Sequence, residues 1–332
     1  MKRYFSFIIP VFNRPNEIKE LLESFLNLDF VEEYEIVIVE DGSENTSQAV
    51  VESYPQLPVS YFYKENSGPG DSRNYGMNQA KGDYFIILDS DCLLPTDYLI
   101  NVTTFFNKTY VDCFGGPDAA HKDFSDVQKA INYVMTSFFT TGGIRGNKKA
   151  LQKFEPRSFN MGLSKEAFQK TGGFGKIHPG EDPDLVQRLL QAGFKTAFVS
   201  DAYVYHKRRI DWTKFYTQVS KFGLVRPILN SLYPSSSKIT FWFPSLFMIF
   251  TITALVLIFF KIWYLLAVLG IYLFIIGIDS SVKNKNIKIG LLSIFALFIQ
   301  FFGYGWSFLK SSFYVGILKK DPKKQFPNLY FK

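Results

Sequence analysis

Cysteine and histidine are scarce. Cys92 and Cys113 are the only thiols in 332 residues, and the histidines are His121, His178 and His206. Two cysteines give no disulfide framework, so a stapled secreted module is excluded and a reducing, cytoplasmic setting is expected. The start, Met1-Lys2-Arg3-Tyr4-Phe5, does not read as a signal peptide. Its apolar run is broken by Pro10, Asn13 and Arg14, and no small-residue cleavage site follows. Internal repeats and low-complexity tracts are lacking, and no nucleic-acid partner is expected.

What the chain does have is unevenly placed. The net charge is +7 and 18% of residues are aromatic. The first two thirds read as a soluble α/β protein, whereas residues 241–309 are nearly all apolar. The length suits one large domain or two smaller ones.

The soluble part is organised around Asn66–Asp91. An apolar run of strand length, Tyr84-Phe85-Ile86-Ile87-Leu88, delivers Asp89-Ser90-Asp91 at its end. Two carboxylates at a strand terminus make a hard oxygen site suited to Mg²⁺ or Mn²⁺, which bind through one or two carboxylates plus substrate phosphates. Before it lies the loop Ser67-Gly68-Pro69-Gly70, then a short helical stretch with Arg73. The planar fork of Arg gives paired charge-assisted bonds to a diphosphate.

The surrounding elements alternate. Phe5–Phe12 reads as a strand, and Pro15 opens a helix where its missing N–H costs nothing. Ile36–Val39 is β-branched without alternation, as in a strand covered on both faces. A helix near residues 46–53 and a strand at Val59–Tyr63 follow. This order predicts a mostly parallel sheet with helices on both faces, and ligands beyond its carboxyl ends. Asn13, Asp41, Asp89 and Asp91 all lie at such ends. Residues 118–155 are polar and mixed, with Gly142, Gly143 and Gly146 as hinges; a mobile acceptor loop and an irregular insertion fit equally. Ser164 reads as an N-cap for a helix over 165–170. His178-Pro179-Gly180-Glu181-Asp182-Pro183-Asp184 leads into a helix over 185–192, and a strand at 196–199 precedes Tyr203–His206.

Over residues 6–225 the chain resembles the inverting glycosyltransferases of family 2, with a GT-A fold. The likeness is carried by IIPVFNRP, VEDGS, NSGPGDSRNYG, LDSD, NMGLSKEAF and GEDPDLVQRLLQAGF, in that order. The resemblance implies that Asp41 binds the nucleotide base and that Pro10, Phe12 and Asn13 line it. It implies that Arg73, with Asn66 and Gly68, contacts ribose and diphosphate. Asp89 would reach the ribose or sugar and flank the metal, Asp91 would hold the divalent metal, and His206 would complete the metal site. Glu181-Asp182 matches the acidic pair that supplies the catalytic base, with Asp182 preferred over Glu181. Two departures stand out: Glu40 where the family often has Asp, and Asp71 where it often has a small residue. Asp71 is read as complementing a helix N-terminus. Blander readings stay open: Asp41 as a turn residue, Asp182 as an N-cap before Pro183, His206 as a structural histidine.

Residues 211–229 carry Trp212, Phe215, Val219, Phe222 and Val225 at helical spacing among Lys214, Lys221 and Arg226. The pattern suits an amphipathic helix in a membrane interface, or else a core-facing helix. Apolar segments follow at about 241–260, 262–278 and 289–309, each near the ~20 residues that cross a bilayer. The loop 279–288 carries Lys283, Lys285 and Lys288, which places it and the catalytic domain in the cytoplasm. The tail 311–332 is also basic, so either the third segment is re-entrant or the tail breaks the charge rule. The expected organisation is a catalytic domain over 1–230, a membrane region over 231–310 and a basic tail. The reading is a metal-dependent transferase taking a nucleotide-sugar, by resemblance a UDP-sugar, to a lipid-linked glycan. The rivals are transfer to polyprenyl phosphate itself, and a non-catalytic membrane-tethered binder of nucleotide-sugar or glycan. A processive synthase fits less well, because no Gln-x-x-Arg-Trp motif follows the acidic pair.

Overall fold

The computed structural model describes residues 3–30, 32–119, 124–142, 155–206 and 211–331. His121, Gly143 and Gly146, singled out above, lie outside the described residues. The chain divides into two compact units. The first comprises Met1–His121, Arg145–Lys207 and Phe331–Lys332; the second comprises Lys122–Ile144 and Arg208–Tyr330.

The first unit is built on a seven-stranded sheet of spatial order β3-β2-β1-β4-β8-β6-β9. The strands are β1 (Phe5–Val11), β2 (Tyr34–Asp41), β3 (Val59–Lys64), β4 (Tyr84–Leu88), β6 (Cys113–Gly115), β8 (Asn160–Ser164) and β9 (Thr196–Phe198). β1 pairs in parallel with both β2 and β4, and β2 with β3. β8 runs antiparallel between β4 and β6. β1 and β4 are buried along their whole length, which explains why β4 is apolar throughout and β1 is interrupted only by Ser6. Helices α1 (Pro15–Leu26), α2 (Gln48–Glu52), α3 (Pro69–Gln79), α4 (Tyr98–Lys108), α7 (Lys165–Thr171) and α8 (Glu181–Gln191) connect them. α1 docks Ile18, Leu21, Leu22 and Phe25 on the sheet at helical spacing. Ser164 caps α7, accepting from the Ala167 N–H at 3.1 Å. A second, three-stranded sheet of order β5-β10-β7 joins β5 (Cys92–Leu93), β10 (Val204–His206) and β7 (Asp118–Ala119).

The second unit departs from the sequence reading within residues 118–155. Part of the irregular stretch is a regular helix, α5 (Asp126–Thr136), opened by a capping box between Ser125 and Gln128. It is followed by the short α6 (Phe138–Thr141). Ile131, Tyr133 and Val134 of α5 enter the core formed by the apolar segments. For α9 (Trp212–Leu232) two readings were open, and Phe215, Val219 and Val225 are buried inside the protein, with Ile228 and Leu229, as in a core-facing helix. Gly223 brings α9 into backbone contact with Tyr304. That close approach draws the apolar side of α9 onto another helix.

The apolar segments form α10 (Phe243–Leu257), α11 (Tyr264–Asn284) and α12 (Ile287–Ser311). With their flanking turns, all three are long and apolar enough to cross a membrane. α11 runs past the expected end at Ile278, because Ser280 pairs with Ser293 of α12 at 2.7 Å and Ser281 bonds back to the Gly277 carbonyl.

Candidate active site

The end of β4 sets Asp89, Ser90 and Asp91 in a tight turn closed by a Cys92 N–H bond to the Asp89 carbonyl. β5 then pairs antiparallel with β10, and the register sets His206 opposite Cys92. That pairing brings His206 Nε2 to 3.0 Å from Asp91 Oδ1 across 115 residues of chain, and the imidazole stacks on Phe159 at 5.2 Å. Burial pushes the Asp91 carboxyl up, but His206 beside it and Arg14 nearby outweigh burial and hold it below the usual range. Cys92 Sγ lies in the same cluster. Burial, and then the charges of Asp91 and Asp89, push its thiol far up, so it stays protonated and donates to the Phe159 carbonyl. The donor set left for an ion is carboxylate plus imidazole, which suits a divalent cation with oxygen preference, Mn²⁺ or Mg²⁺.

Asp89 faces elsewhere. It accepts from Arg73 Nη2 at 2.7 Å. Arg73 is buried and its other Nη reaches Glu181 at 3.4 Å, while the guanidinium lies over the Phe174 ring. The open phosphate fork expected of Arg73 is therefore a clamp between two carboxylates. Burial would lower its pKa, but Asp89, Glu181 and Asp182 more than offset that.

Glu181 and Asp182 open α8. Gly180, with φ 135°, is the N-cap, so Asp182 is not the capping residue that its place before Pro183 suggested. Glu181 is fully engaged: it contacts Arg73, accepts from the Gly180 N–H at 2.8 Å and meets His178 Nδ1 at 2.8 Å. Burial raises its pKa, yet the His178 bond, the His178 charge and Arg73 bring it down to about 2. Asp182 is the opposite case. Its Oδ1 is buried with no hydrogen-bond partner among the described residues, and burial followed by the Glu181 charge pushes its carboxyl up.

The residues that the sequence reading gave to the nucleotide lie in a set of fastened turns. Asp41 accepts from Lys64 Nζ at 2.7 Å and from the Ser67 and Gly68 N–H groups at 3.0 Å each. Asn66 Nδ2 donates to the Asp41 carbonyl at 2.8 Å. Gly68 adopts φ 95°, and a side chain there would collide with Phe331. Asp71 lies in the first turn of α3, as the dipole argument required, and accepts from Ser67 Oγ at 2.5 Å. Asn13 holds φ 54°, and its Oδ1 accepts from the Glu44 and Asn45 N–H groups. Pro10 is buried in β1 and Phe12 is exposed beyond it. Glu40 is explained by the same turns: fully buried, it accepts from Ser43 Oγ, the Ser47 N–H and Tyr61 Oη. A cleft of about 160 Å³ beside α3 is walled by Ser67, Asp71, Asn74, His178, Glu181 and Phe331.

Sequence reading missed Lys64 and Glu17. Lys64 ends β3 and touches Asp41, Ser67 and Ser72. Its place at a parallel strand end was the available signal. Glu17 is buried in the first turn of α1 and accepts from Ser90 Oγ at 2.5 Å, which steadies the turn between the two aspartates.

Comparison with known proteins agrees with this architecture. The family model for glycosyl transferase family 2 matches residues 6–172, half of the chain. The poly(ribitol-phosphate) β-N-acetylglucosaminyltransferase TarS of Staphylococcus aureus is 34% identical over 112 residues, 32% of this chain and 20% of that protein. The minor teichoic acid biosynthesis protein GgaB of Bacillus subtilis is 25% identical over 213 residues, 62% of this chain and 23% of that protein. The chain thus spans under a third of the length of these relatives. Among solved structures, the mannosyltransferase PcManGT of Pyrobaculum calidifontis, in complex with GDP-Man and Mn²⁺, superposes with a TM-score of 0.51 at 17% identity. The match covers 67% of this chain and 63% of that one, and it supports the GT-A fold of the first unit. This chain belongs to glycosyl transferase family 2.

Proposed function

We propose that the chain transfers a sugar from a nucleoside diphosphate donor, a UDP-sugar in the first instance, to a hydroxyl of a lipid-linked glycan at the cytoplasmic face of a membrane, with inversion. The observation that carries the reading is Asp182 Oδ1, a buried carboxylate oxygen without a partner among the described residues, whose carboxyl is shifted toward neutrality. A carboxylate in that state is poised to take a proton, because a general base works best with a pKa moved toward the working pH. As the acceptor oxygen bonds to the anomeric carbon, its proton passes to Asp182. The bond from that carbon to the diphosphate breaks on the opposite face. Glu181 is held by Arg73, His178 and Gly180, so it orients the start of α8 and leaves the proton transfer to Asp182.

Asp91 and His206 would hold the divalent metal, with Asp89 turned to Arg73. When bound, the ion supplies positive charge to the departing diphosphate. Asp41, Lys64 and the N–H groups of Ser67 and Gly68 shape the turn beside which the nucleotide would lie. TarS is named for N-acetylglucosaminyl transfer, and that supports a UDP-linked donor here.

A polyprenyl phosphate acceptor is the weaker alternative. A phosphate is already anionic at neutral pH and needs no base, which would leave Asp182 buried without a task. A non-catalytic binder has the same difficulty. The reading is tested by offering a panel of nucleotide-sugars to the full chain in native lipid extract, and following nucleotide release and labelled lipid together. Release that rises with added lipid and matches its labelling supports the proposal. Binding without turnover across the panel contradicts it.

A further inference from the structure

The three long apolar helices leave an odd number of crossings, which the rest of the structure does not accommodate. We propose that α10 and α11 form the single membrane-crossing pair among the described residues, and that α12 lies along the catalytic face of the bilayer without crossing it. This rests on the reading that the helical unit is embedded in lipid.

The start of α12 is fixed by α5. That helix has 11 residues, about 16 Å at 1.5 Å per residue, too short to span ~30 Å of hydrocarbon. The chain before and after α5 and α6 belongs to the catalytic unit, so this segment starts from and returns to that face, with α6 reaching along α11 to Tyr272, whose Oη donates to the Phe139 carbonyl at 2.9 Å. Tyr133 Oη of α5 donates to Asp279 of α11 at 2.6 Å, and Asp126 pairs with Lys288 of α12 at 2.9 Å. The α11–α12 junction, with Lys283, Lys285 and Lys288, is therefore on the catalytic side, where basic loops belong.

The far end of α12 returns to the same side. Phe331 is part of the catalytic unit: its N–H donates to the Lys176 carbonyl at 3.1 Å and its ring lies 5.5 Å from that of His178. Between Ser311 and Phe331 stand Lys319, Lys320, Asp321, Lys323 and Lys324. Each charge costs about 2.5–3.5 kcal/mol at the centre of a bilayer, so this stretch cannot recross. A helix that begins and ends on one face has crossed nothing. At about 37 Å, α12 is long enough to span, so its length alone misleads.

Its neighbours agree. α9 runs beside α12 in the same direction, with Trp212 against Phe295 at 5.0 Å, Val219 against Gly303, and Gly223 against Tyr304 and Ser307. α9 carries Lys214, Lys221 and Arg226, which belong at the interface and not in hydrocarbon. The first turn of α10 meets the C-terminal half of α12, through Ser245 Oγ to the Gly305 carbonyl at 3.0 Å and Trp242 against Phe308 at 5.0 Å. From there α10 leaves that face and α11 returns to it. α11 has 21 residues, about 31 Å, matching the hydrocarbon thickness. The turn between them, Phe259-Phe260-Lys261-Ile262-Trp263-Tyr264, has a single charge, and its Trp and Tyr suit an opposite interface. Phe259 and Tyr264 are 87% and 81% exposed, open to lipid.

The test is single-cysteine labelling with a membrane-impermeant maleimide on the full chain in sealed membranes of both orientations. The native Cys92 and Cys113 are buried and silent. Ile262→Cys should react only from the outer side, and Lys285→Cys and Lys320→Cys only from the catalytic side. Labelling of Lys320→Cys from the outer side would mean three crossings and overturn the proposal, as would labelling of Ile262→Cys only from the catalytic side. Alkaline carbonate separates the two levels of failure. Release of the chain into the soluble fraction sinks the membrane reading itself, whereas retention with an outward Lys320→Cys sinks only the topology.

Discussion

Glu181 and Asp182 are consecutive, yet their carboxyl groups sit in opposite surroundings: Glu181 is bound by Arg73, His178 and the Gly180 N–H, while Asp182 has a buried oxygen with no partner among the described residues. This contrast is why different tasks are proposed for them. Glu181→Gln should mainly weaken the fold, because Arg73 loses one of its two counter-charges in a buried place. Breaking such a pair costs about 3–5 kcal/mol. Chemical denaturation of the two single variants checks this: Glu181→Gln should lose the more stability, and the reverse order would contradict the assignment.

The two groups also separate in pH. As the proposed base Asp182 must be ionised, and its folded pKa is raised, so on this proposal transfer should fall as pH drops through a value above the ordinary aspartate range. The His178 bond and charge and the Arg73 charge hold the Glu181 carboxyl down at about 2, well below its ordinary value of 4.5. Its stabilising contribution is complete above the unfolded value and is lost as pH falls from there toward 2. On acidification, transfer should therefore fail before this part of the fold does. A pH–rate profile set beside unfolding midpoints over the same range checks the order.

Asp91→Asn should abolish transfer and weaken metal-dependent donor binding while the fold survives, since the change is nearly isosteric. Donor binding titrated with and without Mn²⁺ is the measurement. Full activity of this variant in excess chelator would show that Asp91 holds no metal.

Ser90→Ala removes the bond to Glu17 that steadies the turn between Asp89 and Asp91. The expected cost is about 1–3 kcal/mol of stability, and the metal activation curve should move to higher concentration with the rate at saturating metal largely kept. An unchanged activation curve would show that the bond serves only the fold.

A chain ending at Asn230 would strip α9 of α12 and α5 of the apolar core, exposing Phe215, Val219, Val225, Ile228, Leu229 and Ile131. Each such side chain is worth about 1.5–3 kcal/mol of burial, so the shortened chain should aggregate unless detergent covers these faces. Size-exclusion chromatography in water and in detergent checks this; a monodisperse species in water would contradict the packing.

Much of the catalytic unit was legible because its strands are covered on both faces and so read as unbroken apolar runs. Tyr84–Leu88 was bounded to the residue, and the acidic ends of β2 and β4 followed. The active-site clamps were not legible, since they join residues far apart in the chain. Nothing local to Arg73 says that Asp89 and Glu181 will occupy its fork, and nothing near Lys64 names Asp41. α5 could have been read: Ser125 and Gln128 form a capping box ahead of Ala130, Ile131 and Val134 at helical spacing. α9 was left between two readings because an apolar face looks the same whether lipid or a neighbouring helix covers it. The small residues Gly223 and Gly303 marked the helix contact.

The central claim is that Asp182 takes the proton of an acceptor hydroxyl. It is tested most directly by Asp182→Asn in the full chain, with nucleotide-sugar binding and transfer to lipid-borne acceptor measured on one preparation. Gly180 caps α8, so the fold does not depend on the carboxylate. The account predicts donor affinity close to that of the unmodified chain and transfer lower by ~10² or more. Undiminished transfer by Asp182→Asn, with Glu181→Gln inactive in a folded state, would contradict it.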